Sequence, residues 1–207
     1  MIHKETITNK MQKITSIIHS NLDSNFYLAG GTALALLIGH RASIDLDYFI
    51  NGHIDTLKLK SQITELFPDS NIQFIFEDKD TLWCSIDGVK VSFISRLDIL
   101  LEKVLSINDF NLAQIKDLTV MKLSAICSRE EYKDYFDLAC ISINTDPRSW
   151  SMWWQEVYPN ADPISYMIAL GAVKDIPKIP LDIKDNFKSI DTVAILEKVT
   201  KEISKFS

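Results

Sequence analysis

The spacing of apolar residues in the first half of the chain predicts helices that alternate with strands. Between residues 4 and 22 apolar side chains recur close to every 3.6 positions, the period of an amphipathic helix, and residues 53 to 67 repeat this pattern up to Pro68. Short apolar runs predict strands at residues 26–29, 72–76, 82–86 and 89–94. The last two are joined by Asp87-Gly88, a dipeptide favoured in tight hairpin turns. This half therefore predicts a small mixed β-sheet with flanking helices.

After about residue 95 the pattern becomes mostly helical. Ser95 with Asp98 resembles a helix start that leads into an apolar segment. Ser128 followed by Glu131 has the spacing of a capping box. That spacing predicts a further helix over residues 130–143 with Ser128 as its N-cap.

Two groups of large apolar residues in this half are expected to be buried. Large aromatic side chains at such spacing are usually core or interface residues, and we expect this for the cluster of Trp150, Trp153, Trp154 and Tyr158. The last apolar stripe predicts a helix that buries Val193, Leu196, Val199, Ile203 and Phe206.

Length and composition fit a globular protein with a sizeable core. The chain has 207 residues, of which 46% are hydrophobic and 24% charged. We predict an α/β (α+β) architecture with a sheet-containing core over residues 1–95. A mostly helical region over residues 96–207 is expected to pack as one unit with that core. No apolar run approaches the ~20 residues of a membrane span, and the N-terminus lacks the apolar segment of a signal peptide.

Cysteine content and net charge narrow the function classes. The three cysteines are scattered and lack a C-x-x-C motif, which argues against a disulfide framework or a zinc site and favours a reducing cytoplasm. The net charge of -6 argues against a general nucleic-acid binder. It leaves room for an RNA substrate held by a local basic patch.

The candidate chemistry lies in residues 26 to 50, FYLAGGTALALLIGHRASIDLDYFI. Asp45 and Asp47 are expected to project from one face of a strand. The residues expected to anchor the opposite face are Ile44, Leu46 and Tyr48. Two adjacent carboxylates repel each other unless a cation lies between them, and Mg²⁺ is the usual cation where phosphates are handled. The pair therefore predicts a magnesium site.

A glycine pair before these carboxylates predicts an anion-binding loop. Gly30 and Gly31 allow positive φ and close approach of the backbone. If Thr32 begins a helix, its free N–H groups and the helix dipole attract a phosphate. Gly31 and Asp45 are 14 residues apart. A phosphate cradle and a metal-binding pair in this layout suit the transfer of a phosphate-bearing group.

Two stretches of the chain carry a family resemblance. GGTALALLIGHRASIDLDYF closely resembles the signature of the AbiEii/AbiGii-type nucleotidyltransferases, toxin partners in bacterial toxin–antitoxin and abortive-infection systems. DLTVMKLSAICSREEYKDYFDL resembles the later motif of the same family, in which a helix lysine is followed by an arginine and then by K-D-x-x-D-L. Both occur in the expected order and span about residues 26–140. The resemblance implies the nucleotidyltransferase fold.

The resemblance also assigns roles to residues of the first motif. Gly30, Gly31 and Thr32 would hold the nucleotide phosphates at a helix start. Asp45 and Asp47 would ligate Mg²⁺ and act in catalysis, because the metal neutralises charge that develops on the phosphates.

Roles in the later motif are also implied. Lys122 would contact the triphosphate, and Asp134 or Asp137 would complete the site. Arg41 is a further candidate phosphate ligand, or else forms an ion pair with one of the strand carboxylates. The other interpretations are a snorkelling side chain for Lys122, a helix N-terminal charge for Asp134 and a surface charge for Asp137. His40 is expected to be a turn or packing residue.

One departure from the family pattern lies in the strand at residues 89–94. Nucleotidyltransferases of this fold commonly carry a third carboxylate on a neighbouring strand, often as the base for the acceptor hydroxyl. The corresponding candidate here is Ser92, which cannot serve as a charged base at neutral pH. Either another carboxylate substitutes or activity is lowered or lost; the candidates are Asp87, Asp98 and Asp137.

The resemblance implies a toxin that transfers a nucleoside monophosphate from an NTP to an acceptor, with Mg²⁺ as cofactor and release of pyrophosphate. The acceptor would be tRNA or a protein side chain, and a cognate antitoxin protein would be the partner. Two alternatives remain open. One is a catalytically silent NTP-binding or interaction protein, and the other is a small-molecule nucleotidyltransferase of the antibiotic-modifying sort.

Overall fold

The computed structural model describes residues 2–205, which form two compact units. The first comprises the chain up to Ile38, Ser43–Ile99 and Lys103–Gln114. Its helices are α1 (Asn9–Asn21), α2 (Gly30–Ile38) and α3 (Thr56–Leu66). Its strands are β1 (Tyr27–Leu28), β2 (Asp45–Ile50), β3 (Ile72–Asp78), β4 (Thr81–Ile86), β5 (Val89–Ser95), β6 (Leu105–Ile107) and β7 (Phe110–Leu112).

These strands form a mixed seven-stranded sheet in the order β3-β4-β5-β2-β1-β7-β6. The pairs β2–β5 and β1–β7 are parallel, and the other neighbours are antiparallel. The predicted α/β architecture is therefore confirmed, as are the strands expected over residues 72–76, 82–86 and 89–94. Asp87 and Gly88 both have positive φ (51° and 83°) in the two-residue turn between β4 and β5.

Local capping explains where two of these helices begin. The Thr8 side chain accepts a hydrogen bond from the backbone N–H of Met11 at the start of α1. Asp55 does the same for the N–H of Lys58 at the start of α3. Each cap satisfies one of the backbone donors that a helix start leaves free.

Side chains along strand β2 point alternately to the core and to the open face of the sheet. Leu46, Tyr48 and Ile50 are buried, while Asp45 and Asp47 are half-buried on the other face. The prediction was wrong for Ile44, whose side chain is 75% exposed. This residue precedes the first paired residue of β2, so the pleat does not direct it into the core.

The helix that Ser95 and Asp98 predicted does not form in the described residues 96–104, and a β-hairpin follows this segment. Strands β6 and β7 pair across a tight turn in which Ile107 lies opposite Phe110 and Asn108 has a φ of 52°. Asn tolerates this left-handed conformation better than most residues. Asp98 forms an ion pair with Arg96 at 2.8 Å. The sheet-containing unit therefore includes Lys103–Gln114.

The second unit is helical. It comprises Gly39–Ala42, Leu100–Glu102 and the described chain from Ile115 onward. Its helices are α4 (Ile115–Ser128), α5 (Tyr132–Asn144), α6 (Trp150–Val157), α7 (Ile164–Gly171) and α8 (Thr192–Ile203). In the described part of the chain, no helix combines the length and the apolar character needed to span a membrane.

The predicted buried residues of this unit are largely confirmed. Trp150, Trp153 and Trp154 are buried. The buried members of the α8 stripe are Leu196, Val199 and Ile203, with Val193 half-buried. Phe206 lies outside the described residues.

The predicted capping box at Ser128 was wrong. Ser128 is the last residue of α4, where its hydroxyl donates to carbonyl oxygens one turn back. Glu131 instead occupies the N-cap position of α5. A serine in a helix end readily bonds back to the preceding turn, so its spacing from a glutamate did not decide the cap.

Candidate active site

The first group of candidate residues surrounds the carboxylates of β2. Asp45 and Asp47 lie two residues apart and share the open face of the sheet. Among the described residues, no donor or cation contacts the Asp45 carboxylate. Asp47 accepts a hydrogen bond from the Ser92 hydroxyl, with 2.5 Å between Ser92 Oγ and Asp47 Oδ1. Ser92 lies directly opposite Asp47 on the parallel strand β5.

The N-terminus of α2 lies beside Asp47. Gly30 is the first residue of α2 and has a φ of 62°, a conformation that L side chains rarely adopt. A Cβ on Gly30 would lie 3.3 Å from Asp47 Oδ2. Glycine is thus needed both for the backbone conformation and for the close approach of the carboxylate.

Thr32 is the third residue of α2, in the first turn of the helix. Its side chain is buried, with 2.7 Å between its hydroxyl oxygen and that of Ser43. The Thr32 hydroxyl also donates to the backbone carbonyl of Asp45. These contacts tie the first turn of α2 to the beginning of β2, and so fix the glycine pair relative to the two carboxylates.

The residues around β2 fit a magnesium ion. Mg²⁺ is typically bound by one or two carboxylates and keeps several waters or substrate oxygens. Asp45 and Asp47 provide two adjacent carboxylates, and Asp45 has no competing partner in the described chain. No group of three or more His, Cys, Asp or Glu side chains in residues 2–205 is arranged to hold a metal. An ion held by two carboxylates would take its remaining oxygen ligands from water or phosphate.

The second group of candidate residues is an ion network in the helical unit. Asp137 on α5 is completely buried and accepts two hydrogen bonds from the Arg41 guanidinium, at 2.7 and 2.9 Å. Lys122 Nζ lies 2.6 Å from an oxygen of Asp137 and 2.6 Å from an oxygen of Asp134. His40 Nε2 lies 2.8 Å from the same Asp137 carboxylate.

Electrostatics in this network favour a charged Asp137. Burial by itself would raise its pKa, but Lys122 and Arg41 hold the pKa of the carboxyl well below its usual range. Burial lowers the pKa of His40, so the imidazole is neutral at pH 7. A neutral ring with Nε2–H donating to Asp137 is consistent with this direction.

These contacts decide between the interpretations of the network residues. Arg41 pairs with Asp137 and not with a β2 carboxylate. Lys122 is only 4% exposed, so the snorkelling interpretation was wrong, and the interpretation of Asp137 as a surface charge was wrong as well. Asp134 does lie in the first turn of α5, and His40 is buried against the rings of Phe136 and Phe187.

The structure thus places the candidate residues in two groups. Gly30, Gly31, Thr32, Asp45 and Asp47 belong to the sheet-containing unit, whereas the remaining candidates belong to the helical unit. Those in the helical unit are Arg41, Lys122, Asp134 and Asp137.

One contact and one strand pairing were missed at the level of sequence. Arg129 donates to Asp134 at 2.9 Å, and its place in the later motif was the available signal. Trp83 lies opposite Ser92 across β4 and β5. The two-residue Asp87-Gly88 turn fixes that register, so the pairing could have been read from the sequence.

The chain is similar to known proteins in sequence and in fold. A family model described as "Nucleotidyl transferase AbiEii toxin, Type IV TA system" matches residues 14–149. An uncharacterized protein of Aquifex aeolicus is 36% identical over 131 residues, a match covering 61% of this chain and 62% of the relative. The chain therefore spans less than two thirds of the length of that relative.

Two solved structures share the fold. MenT4, a nucleotidyltransferase toxin from Mycobacterium tuberculosis, superposes with a TM-score of 0.59 and 13% identity, over 96% of this chain and 82% of MenT4. An H. pylori protein assigned to the nucleotidyltransferases gives a TM-score of 0.51 and 16% identity, over 96% of both chains. At these identities the likeness shows the fold alone, whereas the family model covers well over half of the sequence. The chain belongs to the AbiEii nucleotidyl transferase toxin family of type IV toxin–antitoxin systems.

Proposed function

We propose that this chain transfers a nucleoside monophosphate from an NTP to an acceptor and releases pyrophosphate, as the toxin that a cognate antitoxin opposes. The observation that carries the proposal is the carboxylate pair of β2, Asp45 and Asp47, held beside a helix N-terminus at Gly30. Family membership supports the same reaction.

The reaction forms one bond and breaks another at the α-phosphorus of the NTP. An acceptor oxygen bonds to that phosphorus, and the bond to the bridging oxygen of the β-phosphate breaks. The electron pair leaves with pyrophosphate, and the proton of the acceptor hydroxyl passes to a base or to water. When bound, Mg²⁺ would neutralise charge on the phosphates.

Each residue of the first group has a role in this proposal. Asp45 and Asp47 hold the metal, and the free N–H groups at the start of α2 attract the phosphates. Gly30 keeps the space in which phosphate and carboxylate approach each other. Thr32 acts as a positioning residue through its hydrogen bonds to Ser43 and to the Asp45 carbonyl.

The ion network has a separate role in our proposal. Lys122 already contacts two carboxylates at 2.6 Å, so it reaches a phosphate only by giving up an ion pair. We therefore assign Arg41, Asp134 and Asp137 to holding the helical unit together and to orienting Lys122. The direct contact of Lys122 with the triphosphate stays a prediction.

A serine at position 92, where related folds commonly carry a third carboxylate, favours a second candidate function, which is NTP binding without catalysis. Of the carboxylates suggested as substitutes, Asp87 binds the N–H of Asn71, Asp98 pairs with Arg96, and Asp137 is buried among cations. Ser92 itself donates to Asp47 and so orients that carboxylate.

The test is pyrophosphate release with each NTP, Mg²⁺ and total tRNA, followed by the same assay with total protein. We expect release with one preferred NTP, and its loss in Asp47→Asn. Asp69→Asn is the matched control because Asp69 is an exposed aspartate in the turn that follows α3. NTP binding without pyrophosphate release in the presence of either acceptor would favour the catalytically silent protein. Absence of NTP binding would refute both functions.

A further inference from the structure

A row of side chains extends from the carboxylate pair toward the edge of the sheet. On neighbouring strands Asp47 lies opposite Ser92, Ser92 opposite Trp83, and Trp83 opposite Phe76. Directly opposite residues share one face of a sheet. The side-chain contacts support this shared face, because Ser92 donates a hydrogen bond to Asp47 and the ring centres of Phe76 and Trp83 lie 4.8 Å apart. The row crosses three strand spacings, about 14 Å.

A lysine joins the aromatic end of this row. Lys90 Nζ lies 5.2 Å from the centre of the Trp83 ring, and Lys90 is opposite Asp45 on β5. Its side chain is exposed, and within residues 2–205 no carboxylate pairs with it. An unpaired cation over an aromatic ring, one strand from the metal-binding carboxylates, is suited to an anionic ligand with planar groups.

Two further observations concern the aromatic side chains of this face. Phe76 is 43% exposed although it lies beside a tryptophan. Trp83 Nε1 is shielded from solvent and has no acceptor among the described residues. Tryptophan N–H groups usually find a partner when they are buried.

We propose that Phe76, Trp83 and Lys90 form a subsite for a single-stranded nucleic-acid acceptor. Aromatic rings stack on unpaired bases without strict sequence preference, and a lysine attracts the phosphates. The proposal rests on the proposed function for its biological role, because the row would lead a strand end to the carboxylate pair. Nucleic acid is favoured over polypeptide because the subsite combines an unpaired cation with ring faces.

A bulge in β3 provides matched controls on the other side of the strand. The register shifts between Phe74 and Phe76, so Phe74 lies opposite the buried Cys84 while Phe76 lies opposite Trp83. Phe74 is 39% exposed, and Lys60 Nζ lies 5.2 Å from its ring. The pair Phe74–Lys60 therefore repeats the aromatic–lysine contact of the subsite but faces away from the carboxylates. Lys60 differs from Lys90 in forming an ion pair with Glu77 at 2.8 Å.

The experiment is fluorescence anisotropy of labelled RNA with the whole chain, without NTP and with EDTA. A single-stranded oligonucleotide of mixed sequence is compared with a duplex of the same length. We expect tighter binding of the single strand, and a loss of about 5- to 150-fold in Phe76→Ala, as for one lost base-stacking contact. Lys90→Ala should reduce the slope of log affinity against log salt by about 0.7.

Phe74→Ala and Lys60→Ala should leave both quantities unchanged, and thermal unfolding of each variant checks that it is folded. Equal loss in the Phe74 and Phe76 variants, or loss in neither, would overturn the proposal. So would intact RNA binding combined with reduced labelling of a protein acceptor in Phe76→Ala, because the ligand would then be a polypeptide.

Failure of the proposed function would give a different result. In that case the wild type would release no pyrophosphate, while the affinity for single-stranded RNA would still be lower in Phe76→Ala than in Phe74→Ala.

Discussion

Removal of the Asp137 carboxylate is the sharpest test of the ion network. Asp137 is completely buried, and its two oxygens contact Arg41, Lys122 and His40 at distances between 2.6 and 2.9 Å. Asp137→Ala would leave two buried cations without this partner. Breaking a buried pair in this way typically costs about 3–5 kcal/mol. We expect the free energy of unfolding to fall by that amount.

The expected loss is large enough to measure by two methods. For a chain of this size 1 kcal/mol corresponds to roughly 2–4 °C in Tm, so Asp137→Ala should lower Tm by about 6–20 °C. Urea denaturation should show the same loss as a lower midpoint. The matched control is Asp185→Ala, because the Asp185 side chain is 91% exposed and its partner Lys188 remains solvated. A change below about 1 kcal/mol in Asp137→Ala, comparable to that of the control, would refute the assigned role.

Three further variants test individual contacts. Gly30→Ala should destabilise the fold by about 1–2 kcal/mol because Ala disfavours positive φ. It should also weaken Mg²⁺ binding because the new Cβ meets Asp47. An unchanged Mg²⁺ affinity in calorimetry would show that the close approach of Gly30 to Asp47 is irrelevant to metal binding. Ser92→Asp adds a carboxylate against Asp47, so it should lower Tm in EDTA and increase the rise in Tm on addition of Mg²⁺; an equal response to Mg²⁺ in wild type and variant would contradict this. His40 has a lowered pKa, so the unfolded chain binds more protons as the pH falls through about 6.5, and stability should decrease below that pH. His40→Gln should flatten this decrease, as urea midpoints between pH 5 and 8 would show, and an unchanged pH profile would argue against the buried neutral imidazole.

Much of the sheet could be predicted because its signals are local. The two-residue Asp87-Gly88 turn fixes the pairing of β4 with β5, and alternation along β2 places Asp45 and Asp47 on one face. The hairpin of β6 and β7 was missed because its strands are three residues each, too short for a period-2 pattern to stand out.

Partners in the ion network could not be predicted from spacing. Arg41 and Asp137 are 96 residues apart, and charge alone made pairing with a β2 carboxylate equally reasonable. Lys122 and Asp137 lie on different helices, and residue type favours exposure for both. Their burial follows from the packing of α4 against α5, which local sequence does not encode.

Isotope tracing of the two ends of the NTP tests the central claim most directly. The wild-type chain is incubated with Mg²⁺, acceptor and the preferred NTP, labelled either at the α-phosphate or at the γ-phosphate. Our account predicts that the α-label enters the acceptor and the γ-label appears in pyrophosphate, and that both signals disappear in Asp45→Asn and Asp47→Asn. Entry of the γ-label into the acceptor, or full α-label transfer by either variant, would contradict it.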